Sequence, residues 1–198
     1  MEAAVRWSPH STGDRRRFLI VDVAESSLIL NEISKSERDQ LEYHAVSQCN
    51  RLPAFGAFAW SPIQEQIVAL GLVSGNACLV RLGEDKQSSE PFATFRTKQQ
   101  RKCNSIAFNT QNWLAVASDK TRSDACLNIY DASGGESTSL QEPVRRLCAG
   151  ELVSSVRFFP SQPQELVASI QRSYIRTYDL RGRYGEQHES IAAANVTI

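Results

Sequence analysis

Three observations predict an all-β fold of the β-propeller class. Aromatic residues close short alternating segments at positions 7, 60, 108 and 158, so Trp7, Trp60, Phe108 and Phe158 stand 53, 48 and 50 residues apart. Each anchor is followed in the same order by a turn, an apolar run and a second alternating run, and each unit leaves room for a fourth strand. Four antiparallel strands repeated every 40–50 residues or so is the pattern of propeller blades. An all-β sandwich, the alternative, predicts no recurring order of aromatic, turn and apolar run.

Taken in order, the 198 residues divide into units over 1–49, 50–99, 100–149 and 150–193. The first strands end in Val5-Arg-Trp-Ser-Pro9, Phe58-Ala-Trp-Ser-Pro62, Ile106-Ala-Phe-Asn-Thr110 and Val156-Arg-Phe-Phe-Pro160. Alternation at period 2 puts one face of a strand inward, and Ser-Pro, Asn-Thr and Phe-Pro supply turn chemistry behind it. The apolar second strands are Phe18–Val23, Ile67–Val73, Trp113–Ala117 and Leu166–Ile170. The third strands are Leu28–Ile33, Cys78–Leu82, Leu127–Tyr130 and Ile175–Tyr178, and the fourth are Leu41–Val46, Phe92–Arg96, Val144–Ala149 and Ser190–Ala193. Unit three, with its charged loop Asp119–Asp124, is the clearest. Residues 194–198 begin a fifth inner strand, so the expectation is four blades and the start of a fifth: an incomplete ring, either a partial product or a fragment whose missing blades lie downstream. An open ring would expose edges and apolar faces.

Composition narrows function. Lys and Arg number 22, as do Asp and Glu, and a formal charge of zero argues against a dedicated nucleic-acid binder. The N-terminus shows no apolar signal segment. The most apolar window, Ile67–Val80, is broken by Ser74-Gly75-Asn76 and is too short to span a bilayer. A cytoplasmic protein without membrane insertion is expected. Five scattered cysteines without a paired C-x-x-C read as reduced thiols acting as small hydrophobes. No cofactor or metal site is expected, since zinc-ligand spacing is missing.

Catalysis is not expected either. His10, His44 and His188 have no partners at familiar spacing and read as solvated loop residues, and no nucleophile-elbow, P-loop or paired-histidine motif occurs. The charged loops say more. In a blade of alternating up and down strands, the second-to-third loop and the connection into the next blade open on one rim. That rim receives Lys98, Arg101, Lys102, Lys120, Arg122 and Arg172. The bland reading is a solvated rim with internal Asp–Arg pairing; the sharper one is a basic docking face for an acidic partner, where charge sets specificity and association rate. Arg15-Arg16-Arg17 falls on the opposite rim as a solvated loop, with an anionic membrane surface as the alternative.

The third strands close on Tyr130-Asp131 and Tyr178-Asp179, which resemble the Trp-Asp ending of WD repeats. The histidine of the usual Gly-His opening is missing, with Gly150-Glu151 near its place, so the repeats are degenerate and their usual hydrogen-bond network cannot form. More specific are Arg101-Lys-Cys-Asn-Ser-Ile-Ala-Phe-Asn109, Asn112-Trp-Leu-Ala115, Asp119-Lys-Thr-Arg-Ser-Asp124 and Ile129-Tyr-Asp131, supported by Ala69–Gly75, Arg6–His10 and Ile175–Arg181. On these residues the chain resembles the N-terminal propeller of the Mio (missing-oocyte, WD-repeat) family. The resemblance implies a non-catalytic scaffold in a SEA-type complex upstream of target-of-rapamycin signalling. It implies propeller–solenoid subunits as partners and a peripheral place at the vacuolar or lysosomal membrane through the complex. It also implies further blades, an α-solenoid and a zinc-binding region beyond the matched part. The alternative is a generic peptide- or histone-binding WD module in another assembly.

Overall fold

The computed structural model describes residues 3–11, 16–35, 40–83, 91–122, 124–134, 137–171, 174–182 and 190–192. They form β-strands throughout, with no helix among them. Sheet one is a meander of β1 (Ala3–Trp7), β2 (Arg16–Asp22), β3 (Ser27–Lys35) and β4 (Leu41–Cys49). Sheet two holds β5 (Phe55–Trp60), β6 (Ile67–Leu72), β7 (Ala77–Arg81) and β8 (Ala93–Phe95). Sheet three holds β9 (Cys103–Phe108), β10 (Trp113–Ser118) and β11 (Ala125–Asp131), then, after β12 (Ser137–Gln141), β13 (Arg145–Ala149). Sheet four is β14 (Val153–Phe159), β15 (Gln162–Ile170), β16 (Tyr174–Asp179) and β17 (Ser190–Ala192). Within each meander the neighbours are antiparallel. The expected fifth strand, 194–198, lies outside the described residues.

The four sheets stack face to face, and each interface is one core cluster. Leu19, Val21, Leu28 and Leu30 of sheet one meet Val68, Leu70, Cys78 and Val80 of sheet two. Ala69, Leu79 and Phe95 meet Cys103, Leu114, Val116 and Tyr130. Leu127 and Ile129 meet Val156, Leu166, Ile170 and Tyr178 of sheet four. β10 is apolar from Trp113 to Ala117 because both of its faces are covered. Leu114 and Val116 face sheet two, Ala115 and Ala117 face sheet four, and all four are fully buried. Emptying one such site, as in Leu114→Ala, costs about 2–5 kcal/mol.

Close stacking also explains a glycine. A Cβ at Gly71 in β6 would lie 2.3 Å from Cys103 Sγ, so sheets two and three approach here only because that side chain is missing. Phe158 lies one residue short of the end of β14, while the other three aromatic anchors, Trp7, Trp60 and Phe108, end their strands for a local reason. The next residue turns the chain: Ser8 Oγ accepts from the His10 N–H, Ser61 Oγ from Ile63 and Gln64, and Asn109 Oδ1 from Gln111 and Trp113. These are side-chain-closed turns.

One strand lies outside the predicted order. β12 runs parallel to β8, pairing Ser137 with Ala93 and Gln141 with Phe95, so a segment that follows the third sheet's third strand reaches back and covers the second sheet's edge. Its sequence, STSLQ, has no apolar alternation to announce it. No core cluster joins sheet four to sheet one among the described residues. The outer face of sheet one carries Trp7, Phe18 and Tyr43 in an edge-to-face ladder with centroids 5.9 and 5.7 Å apart.

Candidate interaction surfaces

At one end of sheets two and three the connections are tied to each other. Gly75 has φ +100°, and a Cβ there would meet Arg101 O at 2.3 Å, so the turn Val73–Asn76 must carry glycine to let the 96–102 segment pass over it. Thr97 N–H donates to Asn76 Oδ1 at 3.3 Å, and its hydroxyl lies 3.3 Å from Gly75 O. Arg101 then crosses into the charged loop. Nη1 donates to Asp119 O at 2.7 Å, and Nη2 to Ala125 O at 3.0 Å and to Asp124 Oδ2 at 3.2 Å. Asn104 Nδ2 donates to Asp119 Oδ1 at 2.8 Å and to Val153 O at 3.2 Å, linking the loop to sheet four.

The predicted basic residues therefore divide. Lys98, Lys102, Lys120 and Arg122 are exposed, and none has an ion-pair partner among the described residues. Arg101 differs: its side chain is 7% exposed and both of its terminal nitrogens donate inside the loop, with Nε buried and unpartnered, so it shapes the rim and is not exposed to a partner. Arg172 lies outside the described residues. The loop thus carries an internal Arg–Asp pair, and the four exposed cations around it have no ion-pair partner among the described residues.

A related network stands where sheets three and four meet. Arg176 Nη1 donates to Glu151 Oε2 at 2.6 Å, and Cys148 Sγ lies 2.7 Å from Tyr178 Oη. Burial, above all, raises the Tyr178 and Cys148 pKa values, so both stay protonated. The absent histidine does not leave the repeat unbraced: Glu151, in its place, is held by Arg176, and Tyr178 stands where the WD tryptophan would be.

At the opposite end, Arg17 is no solvated loop residue. It lies in β2 at 9% side-chain exposure, donating from Nε to Glu32 at 2.6 Å and from Nη1 to Glu65 at 3.2 Å. This ties sheet one to the first turn of sheet two, so Arg17 cannot reach a membrane. Arg16 is exposed, and Arg15 lies outside the described residues. Two of the histidines correct the solvated-loop reading in part: His10 lies in a turn but is half-buried, and His44 is exposed but lies in a strand. His10 Nε2 lies 2.9 Å from Ser61 O, joining sheets one and two, and His44 sits within β4. His188 lies outside the described residues.

Near this end a cavity of about 290 Å³ opens where the first strands of all four sheets converge, lined by Arg6, Trp7, Phe58, Trp60, Phe108 and Arg157 among others. Arg6 stands 5.7 Å over the Phe58 ring. The aromatic anchors were visible in the sequence, but the two arginines were not assigned to a site. Their signal was present: Val-Arg-aromatic recurs as Val5-Arg6-Trp7 and Val156-Arg157-Phe158. Among the described residues, no group of three or more His, Cys, Asp or Glu could hold a metal ion.

Four stacked four-stranded meanders place the chain in the class of blade-built, propeller-like all-β proteins. No protein-family model matches it. Over 119 residues it is 27% identical to the GATOR2 complex protein Mio of Drosophila melanogaster, a span covering 59% of this chain and 13% of that protein. The chain thus matches only a small part of its relative's length.

Proposed function

We propose that the chain is a non-catalytic interaction module, a partial WD-type β-propeller that serves as a scaffold in a multisubunit complex related to the one named for its Drosophila relative. The observation that carries this is the coincidence of a propeller-like stack with sequence likeness to a complex subunit. In this reading the four sheets are blades of an incomplete ring. The complex is a SEA-type assembly coupling amino-acid supply to target-of-rapamycin signalling, and other propeller–solenoid subunits are the partners. Cytoplasmic placement, peripheral to the vacuolar or lysosomal membrane through the complex, follows from the same reading. No helix of the described residues is long and apolar enough to cross a membrane.

Lys98, Lys102, Lys120 and Arg122 are the docking cations in this reading, on the rim that Arg101 orders. Charge there speeds association and selects an acidic partner surface more than it adds raw affinity. The test is affinity purification of the full-length protein with subunit identification, repeated with Lys102→Glu, Lys120→Glu and Arg122→Glu combined. Loss of one subunit at unchanged fold is expected. Recovery of the same subunits in the same amounts would remove the rim from the proposal, and recovery of no partner subunit at all would remove the scaffold.

A second reading, a peptide-binding WD module, is favoured by one observation: aromatic residues from three sheets line the cavity between the first strands.

A further inference from the structure

The cavity between the first strands has a chemistry of its own. Its lining residues include Trp7, Phe58, Trp60 and Phe108, two arginines, Arg6 and Arg157, and no Asp or Glu. Arg6 spends Nη1 on Val5 O at 2.9 Å, and Arg157 spends Nη1 on Val156 O at 2.7 Å and Ser105 Oγ at 3.3 Å. Neither has an ion-pair partner among the described residues, in contrast to Arg17, Arg101, Arg176 and Arg181, which are all paired with carboxylates. The remaining donors of Arg6 and Arg157 are therefore unclaimed by protein acids. Arg6 is held in place by Phe58, and Arg157 by the backbone and Ser105.

We infer that this cavity binds an acidic, extended peptide segment, seating one apolar or aromatic side chain among Trp7, Phe58, Trp60 and Phe108 while Arg6 and Arg157 take flanking carboxylates. The inference deepens the peptide-binding reading, rests on it, and is independent of the basic rim. A volume of about 290 Å³ lies at the lower end of ligand-pocket sizes, enough for a side chain or two and too small for a helix. Guanidinium forks match carboxylates in geometry, and Trp7, at 63% exposure, offers an aromatic face that a peptide side chain would cover. A nucleic-acid strand could also stack on such faces, but two cations and a neutral chain are a poor match to a phosphate backbone.

The test uses the full chain and a fluorescein-labelled octaglutamate peptide carrying one central phenylalanine, followed by anisotropy. Its glutamine isostere and an oligouridylate are the comparisons. The glutamate peptide is expected to bind about ten-fold more tightly than the isostere and to weaken as salt is raised. Arg6→Gln with Arg157→Gln should erase that preference at unchanged near-ultraviolet circular dichroism, while Lys120→Glu with Arg122→Glu should leave it intact. Equal binding of both peptides to the unmutated chain would overturn the acidic preference and spare the peptide-binding reading. Saturable binding of neither would take that reading down as well. Tighter binding of the oligouridylate, or loss of peptide binding only in the rim variant, would overturn the inference.

Discussion

Arg101 Nη2 and Asp124 Oδ2 stand 3.2 Å apart, with their side chains at 7% and 13% exposure. The same guanidinium also holds the carbonyls of Asp119 and Ala125. An intact buried pair is weak proof of stability, yet removing one member strands the other away from water. Arg101→Ala should therefore destabilise the protein by about 3 kcal/mol. Arg101→Lys should recover only part of this, since an ammonium cannot span three acceptors as a planar fork does. Lys120→Glu, on the exposed side of the same loop, should stay within about 0.5 kcal/mol of the parent. Urea unfolding distinguishes them; an Arg101→Ala variant as stable as Lys120→Glu would show that the clamp does nothing.

This pair also marks the boundary of what the sequence makes legible. Strand order was readable because alternation and apolar runs are local: β10 runs apolar from Trp113 to Ala117, and two covered faces demand that. The residue after three of the four aromatic anchors was readable as a turn former, and the structure shows Ser8, Ser61 and Asn109 closing those turns; after Phe158 the strand runs on through Phe159. Whether Arg101 faces water or carbonyls depends on the fold-back of 119–125, some twenty residues on, so charge alone placed it on the rim with Lys102 and Arg122. β12 was invisible because its partner, β8, belongs to the previous repeat. Arg6 and Arg157 are half legible: the Val-Arg-aromatic pattern recurs in the sequence, but convergence of β1 and β14 on one cavity is a tertiary fact.

The Glu151–Arg176 pair stands in for the histidine-based bracing of ordinary repeats, and its strength should be measurable as coupling. Glu151→Ala and Arg176→Ala each remove a 2.6 Å charge-assisted contact beside the Cys148–Tyr178 bond. Each should cost on the order of 1–2 kcal/mol, and the double variant should cost less than their sum by about 1 kcal/mol. Tyr178→Phe, which deprives Cys148 of its 2.7 Å partner, should cost about 1 kcal/mol more than a neutral surface change. Strict additivity of the first two would mean that the pair is screened and plays no bracing part.

Buried thiols predict an alkaline limit. Burial pushes Cys78 and Cys103 up to about 12, whereas unfolded thiols titrate near 8.5. The folded state thus keeps protons that the unfolded state gives up. Their contribution is complete below the unfolded pKa and is lost as pH rises from about 9 towards 12, with a slope on the order of 1 kcal/mol per pH unit for each thiol. Unfolding free energy should be flat with respect to these groups below pH 8 or so and fall above pH 9 or so. Cys78→Ala should reduce that fall whatever it does at neutral pH. In the native state at pH 8 a thiol reagent should leave both residues unmodified, since reactivity needs the exposed thiolate; prompt labelling of all five cysteines without unfolding would contradict the buried assignment.

The tightest approach between sheets two and three gives the sharpest test of the stack. Gly71 sits in mid-strand, where alanine ordinarily helps by restricting the unfolded chain. Here a Cβ would meet Cys103 Sγ at 2.3 Å, Cys103 Cβ at 3.0 Å and Ala57 Cβ at 3.2 Å. Cys103 is fully buried and has nowhere to retreat. Gly71→Ala should therefore destabilise by about 1–3 kcal/mol, the usual range for overpacking a core. Cys103→Ala alone should cost about 1 kcal/mol for the small void it leaves. Combined, the new methyl occupies the space of the lost sulfur, so the double variant should be more stable than Gly71→Ala alone. The residual 3.0 Å contact with the position-103 Cβ keeps it below the parent. The sign decides the matter: a stabilising Gly71→Ala, or a double variant that merely adds the two losses, would mean that sheets two and three do not meet at this point.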